Sequence, residues 1–104
     1  MIFKLTLHSA YYKGGFFNAR RDFDDLIRQD EGEITVSAGT EDLTFVGKVD
    51  RTANKNGTAR IRNLKGFKQW LQKNYRQDDV LDVEIVAPNL LKIKTPTQNG
   101  GTNI

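Results

Sequence analysis

The residue types that most often carry out catalysis are scarce in this chain of 104 residues, which has no cysteine and a single histidine, His8. This composition excludes thiol nucleophiles, thiolate metal sites and pairs of histidines. His8 is followed by Ser9, but no third member of a catalytic triad is evident. We therefore interpret His8 as a half-buried or surface histidine.

The densest group of acidic residues has the side chains that could hold Mg²⁺ for nuclease chemistry. It consists of Asp78, Asp79, Asp82 and Glu84. Asp82 and Glu84 would share one face of a strand, but no Glu-x-Lys motif follows in register. A solvated outer face at one end of the fold is the favoured interpretation, so the sequence predicts no catalytic residue, no metal and no cofactor. A compact Mg²⁺-dependent nuclease using Asp78, Asp82 and Glu84 stays open as a less favoured alternative.

Positive charge is concentrated in one part of the chain. Residues 48–76, the basic segment, contain nine lysines and arginines and one acidic residue, Asp50. The whole chain has a net charge of only +3. A block of like charge repels itself in the folded state. The pattern therefore indicates a polyanionic partner, most commonly a nucleic acid, although a solvated basic face without a partner would have the same composition.

The elements that must position this charge are mostly strands. Seven short segments have the alternating or apolar pattern of strands; they are residues 2–7, 16–17, 33–38, 43–49, 58–62, 80–86 and 90–94. Helical spacing occurs twice, in a segment capped by Asp22 and ending near Gly32, and in residues 66–74. We expect a mainly β fold with two short helices, a seven-stranded open or pseudo β-barrel, because closure leaves few exposed strand edges.

The predicted domain covers residues 1–94, since a chain of this length can bury one modest core. Residues 95–104 have almost no apolar side chains and are interpreted as a flexible tail or a truncated linker, and residues 39–42 are predicted to form a turn. No apolar run approaches the roughly 18 residues of a membrane span, and no signal peptide is visible. We therefore expect no membrane association and a cytoplasmic location.

Two polar segments carry the side chains that suit recognition of duplex DNA. In the first polar segment (residues 9–21), of which Ser9–Gly15 is predicted to be a loop, the candidates are Ser9, Tyr11, Tyr12, Lys13, Asn18, Arg20 and Arg21. In the second polar segment (residues 50–62) they are Arg51, Asn54, Lys55, Asn56, Arg60 and Arg62. Arginine and asparagine can each form two hydrogen bonds with a purine edge in the major groove, which a two-stranded projection is narrow enough to enter.

Lysines just beyond the second segment suit contacts with phosphates. Lys65, Lys68 and Lys73 would fix the register of the protein on the duplex. For each candidate residue, an exposed charge without a partner is the alternative. A small barrel that binds RNA or single-stranded DNA is a further alternative, in which Tyr11 and Tyr12 would stack on bases. The phenylalanines at 16, 17 and 45 are predicted to be core residues.

Several motifs resemble, in order and spacing, those of the DNA-binding pseudobarrel superfamily. That superfamily includes the B-three domain of plant transcription factors and the specificity domains of EcoRII- and BfiI-type restriction endonucleases. The similarity covers Phe3 to Lys94. It rests on residues 16–21, on the run Leu64-Lys65-Gly66-Phe67-Lys68-Gln69-Trp70, and on residues 77–85. Residues 11–18 look more like the bacterial restriction-enzyme branch.

The resemblance implies a function and a way of binding. Members of the superfamily hold duplex DNA between an N-terminal arm after the first strand and a C-terminal arm between the fourth and fifth strands. By position, these arms correspond to Ser9–Gly15 with Arg20 and Arg21, and to Arg51–Arg62. The resemblance thus implies the target-recognition domain of a prokaryotic type II restriction endonuclease, without catalytic activity of its own. A covalently linked or separate partner would supply the nuclease.

Overall fold

The computed structural model describes residues 1–38 and 43–94. The predicted turn at 39–42 and the predicted tail or linker at 95–104 lie outside these described residues. The described strands are β1 (Ile2–Thr6), β2 (Phe17–Asn18), β3 (Glu33–Ala38), β4 (Leu43–Asp50), β5 (Arg60–Arg62), β6 (Val80–Ala87) and β7 (Leu90–Lys94). The helical elements are α1 (Ser9–Gly14), a 3₁₀ helix (Arg21–Leu26) and α2 (Phe67–Asn74).

The strands form one curled sheet in the order β1-β6-β7-β3-β4-β5-β2. Neighbouring strands are antiparallel, except for the parallel pair of β3 with β7. In the described part of the chain, β1 and β2 form the two ends of the sheet and do not pair with each other. The predicted fold class, a mainly β protein with a seven-stranded open pseudo-barrel, is confirmed.

Alternation along the strands places one face of the sheet in the core. In β3, Ile34 and Val36 are fully buried, while Thr35 between them is only half-buried. The same period of two buries Leu81 and Val83 in β6. Phe67 of α2 is also fully buried, which anchors that helix on the sheet. Each such large apolar side chain stabilises the fold by roughly 1.5–3 kcal/mol relative to an exposed one.

The prediction that Ser9–Gly15 is a loop is wrong. Residues 9–14 form α1, and the helix ends at Gly15, whose positive φ of 71° suits glycine. A helix of six residues is too short to be stable by itself, so its contacts with α2 must hold it in place. No helix in the described ranges is long and apolar enough to cross a membrane.

The helix predicted to start at Asp22 and run towards Gly32 is instead a 3₁₀ helix that ends at Leu26. Bonds from the Phe23 and Ile27 amides to carbonyls three residues earlier mark its tighter winding. The described chain therefore has three short helical elements rather than two.

Candidate nucleic-acid interface

The antiparallel pair of β2 with β5 brings the two polar segments together. Phe17 lies opposite Ile61, and Asn18 lies opposite Arg60. Phe17 and Ile61 are fully buried, so the alternation turns Asn18 and Arg60 away from the core. Because β5 also pairs with β4, this end of the sheet fixes the start and the end of the second polar segment next to the first.

The first cleft, of about 420 Å³, lies between the end of α1 and the connection from β5 to α2. Its lining residues are Gly14, Gly15, Phe16, Arg60, Arg62, Asn63, Leu64, Lys65 and Lys68. Four of them are cations, and within the described chain no carboxylate lines the cleft. This composition suits an anion such as a phosphate group.

The second cleft, of about 410 Å³, lies between the residues after β2 and the tip of the second polar segment. Its lining residues are Asn18, Ala19, Arg21, Asn54, Lys55, Asn56 and Thr58. They are polar or cationic except for Ala19, and they include no carboxylate among the residues that the structure describes. The Arg60 Nε of the first cleft donates to Asn18 Oδ1 of the second at 3.0 Å, so the two clefts adjoin.

The Arg60 side chain is held from two directions. Its guanidinium carbon lies 4.6 Å from the centroid of the Phe16 ring, and its Nε bonds to Asn18 as described. Phe16 was predicted to be a core residue, but it is only half-buried. Phe17 and Phe45 are buried, as predicted. Phe16, the residue before β2, thus supplies an aromatic surface for an arginine of β5.

Asn54 is engaged inside the protein. Its Nδ2 donates to Asn18 Oδ1 at 3.1 Å and to the Thr58 carbonyl at 2.9 Å. The Asn56 carboxamide oxygen accepts from the Thr58 amide at 3.0 Å. These bonds fold the tip of the second polar segment onto β2, and they occupy the Asn54 donor that a bidentate contact with adenine would need.

Arg51 is largely enclosed by the protein. Its Nη1 donates to Asp24 Oδ2 at 2.7 Å, and its Nη2 donates to the Arg28 carbonyl at 2.8 Å. Only 15% of the Arg51 side chain is exposed. The other carboxylate oxygen of Asp24 accepts from the Ala59 amide at 2.9 Å. This pair joins the second polar segment to the 3₁₀ helix, and it leaves Arg51 little capacity to contact a nucleic acid.

Arg62 combines an internal bond with exposure. Its Nη1 donates to Asp50 Oδ2 at 2.8 Å, and about half of its side chain remains exposed at the first cleft. Hydrogen bonds from the Thr52 hydroxyl and from Arg62 hold the pKa of the Asp50 carboxyl well below its usual range. Asp50, the acidic residue of the basic segment, therefore stays ionised and partly offsets the charge of Arg62.

The two tyrosines of α1 have different contacts: Tyr12 bonds to the residue that follows α2, and Tyr11 packs on the residue that precedes β2. The Tyr12 hydroxyl donates to the Tyr75 carbonyl at 2.8 Å, and Tyr11 packs edge-on against Phe16 with centroids 5.4 Å apart. Both tyrosines are half-buried, whereas Ser9 and Lys13 are exposed. Of the predicted contacts in this helix, Ser9 and Lys13 are thus the ones that face solvent.

The remaining predicted contacts are exposed and differ in position. Arg20 forms a 3.2 Å ion pair with Asp22 on the surface. Lys65 and Lys68 line the first cleft. Lys73 lies in the last turn of α2 and lines neither cleft. Arg21 and Lys55 line the second cleft.

Carboxylates of the acidic cluster are used in cross-strand pairing. Asp82 pairs with Lys4 at 2.6 Å, and Glu84 pairs with Lys94 at 3.6 Å. Asp79 accepts from the Arg76 amide at 2.9 Å. In residues 1–38 and 43–94, no group of three or more acidic or histidine side chains is close enough to hold a metal ion.

Sequence comparison and structure comparison give different results. No protein-family model matches the sequence, and no curated protein matches it either. Among solved structures, the fold is similar to the N-terminal domain of Helicobacter pylori LlaJI.R1, with a TM-score of 0.63 and 10% sequence identity. The match covers 98% of this chain and 91% of that chain. At 10% sequence identity, the comparison shows similarity of fold alone.

Proposed function

We propose that this chain is a sequence-specific reader of double-stranded DNA that binds the duplex across the two adjoining clefts, through its major groove. The observation that carries this proposal is the β2–β5 pair, which places two polar segments side by side with cation-lined clefts on either side. Phosphate contacts would supply affinity and register, and side chains at the clefts would read base edges.

The likeness of fold supports a more specific role. LlaJI.R1 is a restriction-related protein, and analogy of fold alone raises the expectation of a related role without assigning a site. The likeness supports a restriction-enzyme-like domain, and the finer proposal, a B-three-like target-recognition domain of a type II restriction endonuclease, rests on the motifs at residues 64–70 and 77–85. In this proposal the chain does no chemistry itself, and a nuclease partner in the same or another chain cleaves the DNA.

The proposed contact set is narrower than the sequence alone indicated. Arg51 and Asn54 have structural roles, because the terminal nitrogens of Arg51 and the Nδ2 of Asn54 are bonded inside the protein. The residues at the clefts that are proposed to contact DNA are the half-buried Arg60 and the exposed Arg21, Lys55, Asn56, Arg62, Lys65 and Lys68. Ser9, Lys13, Arg20 and Lys73 are proposed as peripheral contacts.

The alternative of base stacking on tyrosine finds less support in the geometry. Tyr11 and Tyr12 are half-buried, and the Tyr12 hydroxyl is bonded to the backbone of residue 75. Binding of RNA or single strands by stacking needs aromatic faces that bases can reach. Duplex DNA is therefore the proposed ligand.

Selection from a pool of random duplexes, followed by affinity measurements on the selected sequence, tests the proposal. We expect the selected duplex to bind more tightly than a random duplex and than either of its single strands. The logarithm of affinity should fall with the logarithm of salt concentration, with a slope of about −0.9 per neutralised phosphate. A flat salt response, or tighter binding of the single strand, would contradict the proposal.

A further inference from the structure

One cation at the clefts differs from its neighbours in how it is presented. Arginine has five N–H donors, and in Arg60 the Nε donor is used in the bond to Asn18. Among the described residues, neither terminal nitrogen of Arg60 has a hydrogen-bond or ion-pair partner within the protein. By contrast, Arg51 uses both of its terminal nitrogens internally, and Arg62 uses one.

The two supports fix the direction in which Arg60 points. The guanidinium carbon of Arg60 lies over the Phe16 ring, 4.6 Å from its centroid, and the bond from Nε to Asn18 holds the edge of the guanidinium that carries Nε. The edge that carries both terminal nitrogens is then directed away from these supports, beside the first cleft. A side chain fixed in this way loses less conformational freedom when it binds.

The geometry points to guanine as the base that Arg60 reads, through a bidentate contact of its two terminal nitrogens with O6 and N7; this inference rests on the proposed function. Guanine presents two adjacent acceptors in the major groove. Adenine and cytosine each present an amino donor there, and thymine presents a single acceptor beside a methyl group. Two parallel N–H donors therefore match guanine alone. Phe16 and Asn18 act as positioning residues.

A guanine analogue tests the contact on the protein as it stands. In the duplex selected by the wild-type chain, each guanine is replaced in turn by 7-deazaguanine, which keeps O6 and base pairing but has no N7 acceptor. We expect one replacement to weaken wild-type binding about fivefold. Exchange of that G·C pair for A·T should weaken it by about 5- to 150-fold.

Variants of Arg60 should remove this discrimination. Arg60→Ala should bind the guanine duplex and its 7-deazaguanine counterpart equally. Arg60→Lys keeps the charge, so its salt slope should match the wild type while its preference for guanine falls. Arg76→Lys is the matched control, since Arg76 is an exposed arginine of the basic segment that lines neither cleft; it should keep the full preference.

Substitutions of the positioning residues test whether the orientation of Arg60 matters beyond its charge. Phe16→Leu and Asn18→Ala should reduce the affinity for the guanine duplex several-fold more than they reduce the affinity for random duplexes. A merely structural role would lower both affinities together, and that outcome would overturn the positioning claim.

Different experimental results would refute the proposed function and the inference about Arg60. If the wild type binds no duplex, the proposed function is refuted. If it binds a defined sequence and Arg60→Ala keeps the same guanine preference, or if the selected site has no guanine, the inference alone is overturned.

Discussion

The two ends of the second polar segment carry arginines with opposite environments. At its start, Arg51 is enclosed by the carboxylate of Asp24 and by backbone carbonyls. At its end, Arg60 lies on an aromatic ring beside an open cleft, with both terminal nitrogens free within the described chain. The two arginines differ in their neighbours. Arg51 lies next to the Asp24 carboxylate, whereas Arg60 lies next to the Phe16 ring and the Asn18 amide oxygen. Local charge density therefore identifies a basic region without showing which cations are available.

The largest expected effect is a loss of stability at the enclosed end. Arg51→Ala leaves the Asp24 carboxylate without its partner in a place where only 19% of that side chain is exposed. We expect the free energy of unfolding to fall by about 3 kcal/mol, measured by urea denaturation. Arg60→Ala, the matched change at the open end, should cost about 1 kcal/mol or less. Equal losses in the two variants would remove the contrast between the two ends.

The next effect concerns the packing of α1 against α2 beside the first cleft. In Gly15→Ala, the new Cβ would lie 2.7 Å from Lys68 Cβ, and φ is +71°, so α1 must shift away from α2. Gly57→Ala is the matched control, because φ there is +80° but no atom lies within 4 Å of the new Cβ. The control should show only the left-handed penalty of about 1–2 kcal/mol. Gly15→Ala should lose more in the same unfolding measurement, and a smaller loss than the control would contradict the tight packing at this position.

A smaller effect is expected from the two lysines that line the first cleft. Lys65→Ala and Lys68→Ala should weaken all duplexes alike, and each should reduce the magnitude of the salt slope by about 1. The change is measured by anisotropy titration of selected and random duplexes at several salt concentrations. Lys92→Ala, an exposed lysine of β7, is the control and should leave the slope unchanged. Unequal losses on the two duplexes would show base reading rather than phosphate contact.

The smallest effect concerns Asp50, which restrains Arg62. In Asp50→Asn the charge of Arg62 is no longer offset, so affinity for random duplexes should rise slightly, and the salt slope should steepen.

Because the folded state lowers the Asp50 pKa, its ionised form stabilises the fold above its ordinary pKa, and this contribution is lost as the pH falls through the lowered value. The stability difference between wild type and variant should therefore be constant above about pH 4 and shrink below it. A difference that grows on acidification would contradict this assignment.

The sequence predicted the sheet well because alternation is a local signal. The buried faces of β3 and β6 follow directly from their period of two. Phe16 could have been placed on the outer face by the same rule, since its neighbour Phe17 points inward. The helix α1 could not be predicted from periodicity, because it spans six residues and depends on a bond between positions 63 residues apart.

The sequence singled out two polar segments, and the structure shows that residues of both line the clefts. That these segments bind DNA stays a prediction. The role of Asp24 had no local signal, because its partner Arg51 is 27 residues away and a carboxylate early in a helix is ordinary. Which cations are enclosed and which are open is a tertiary property.

The most direct test of the account is a map of amide chemical shifts in the uniformly ¹⁵N-labelled chain during titration with a selected duplex. If the duplex binds across the two clefts, the largest shift changes fall on residues 14–21 and 54–68, and the outer surface of β6 and β7 changes little. Changes centred on β6 and β7 would contradict it.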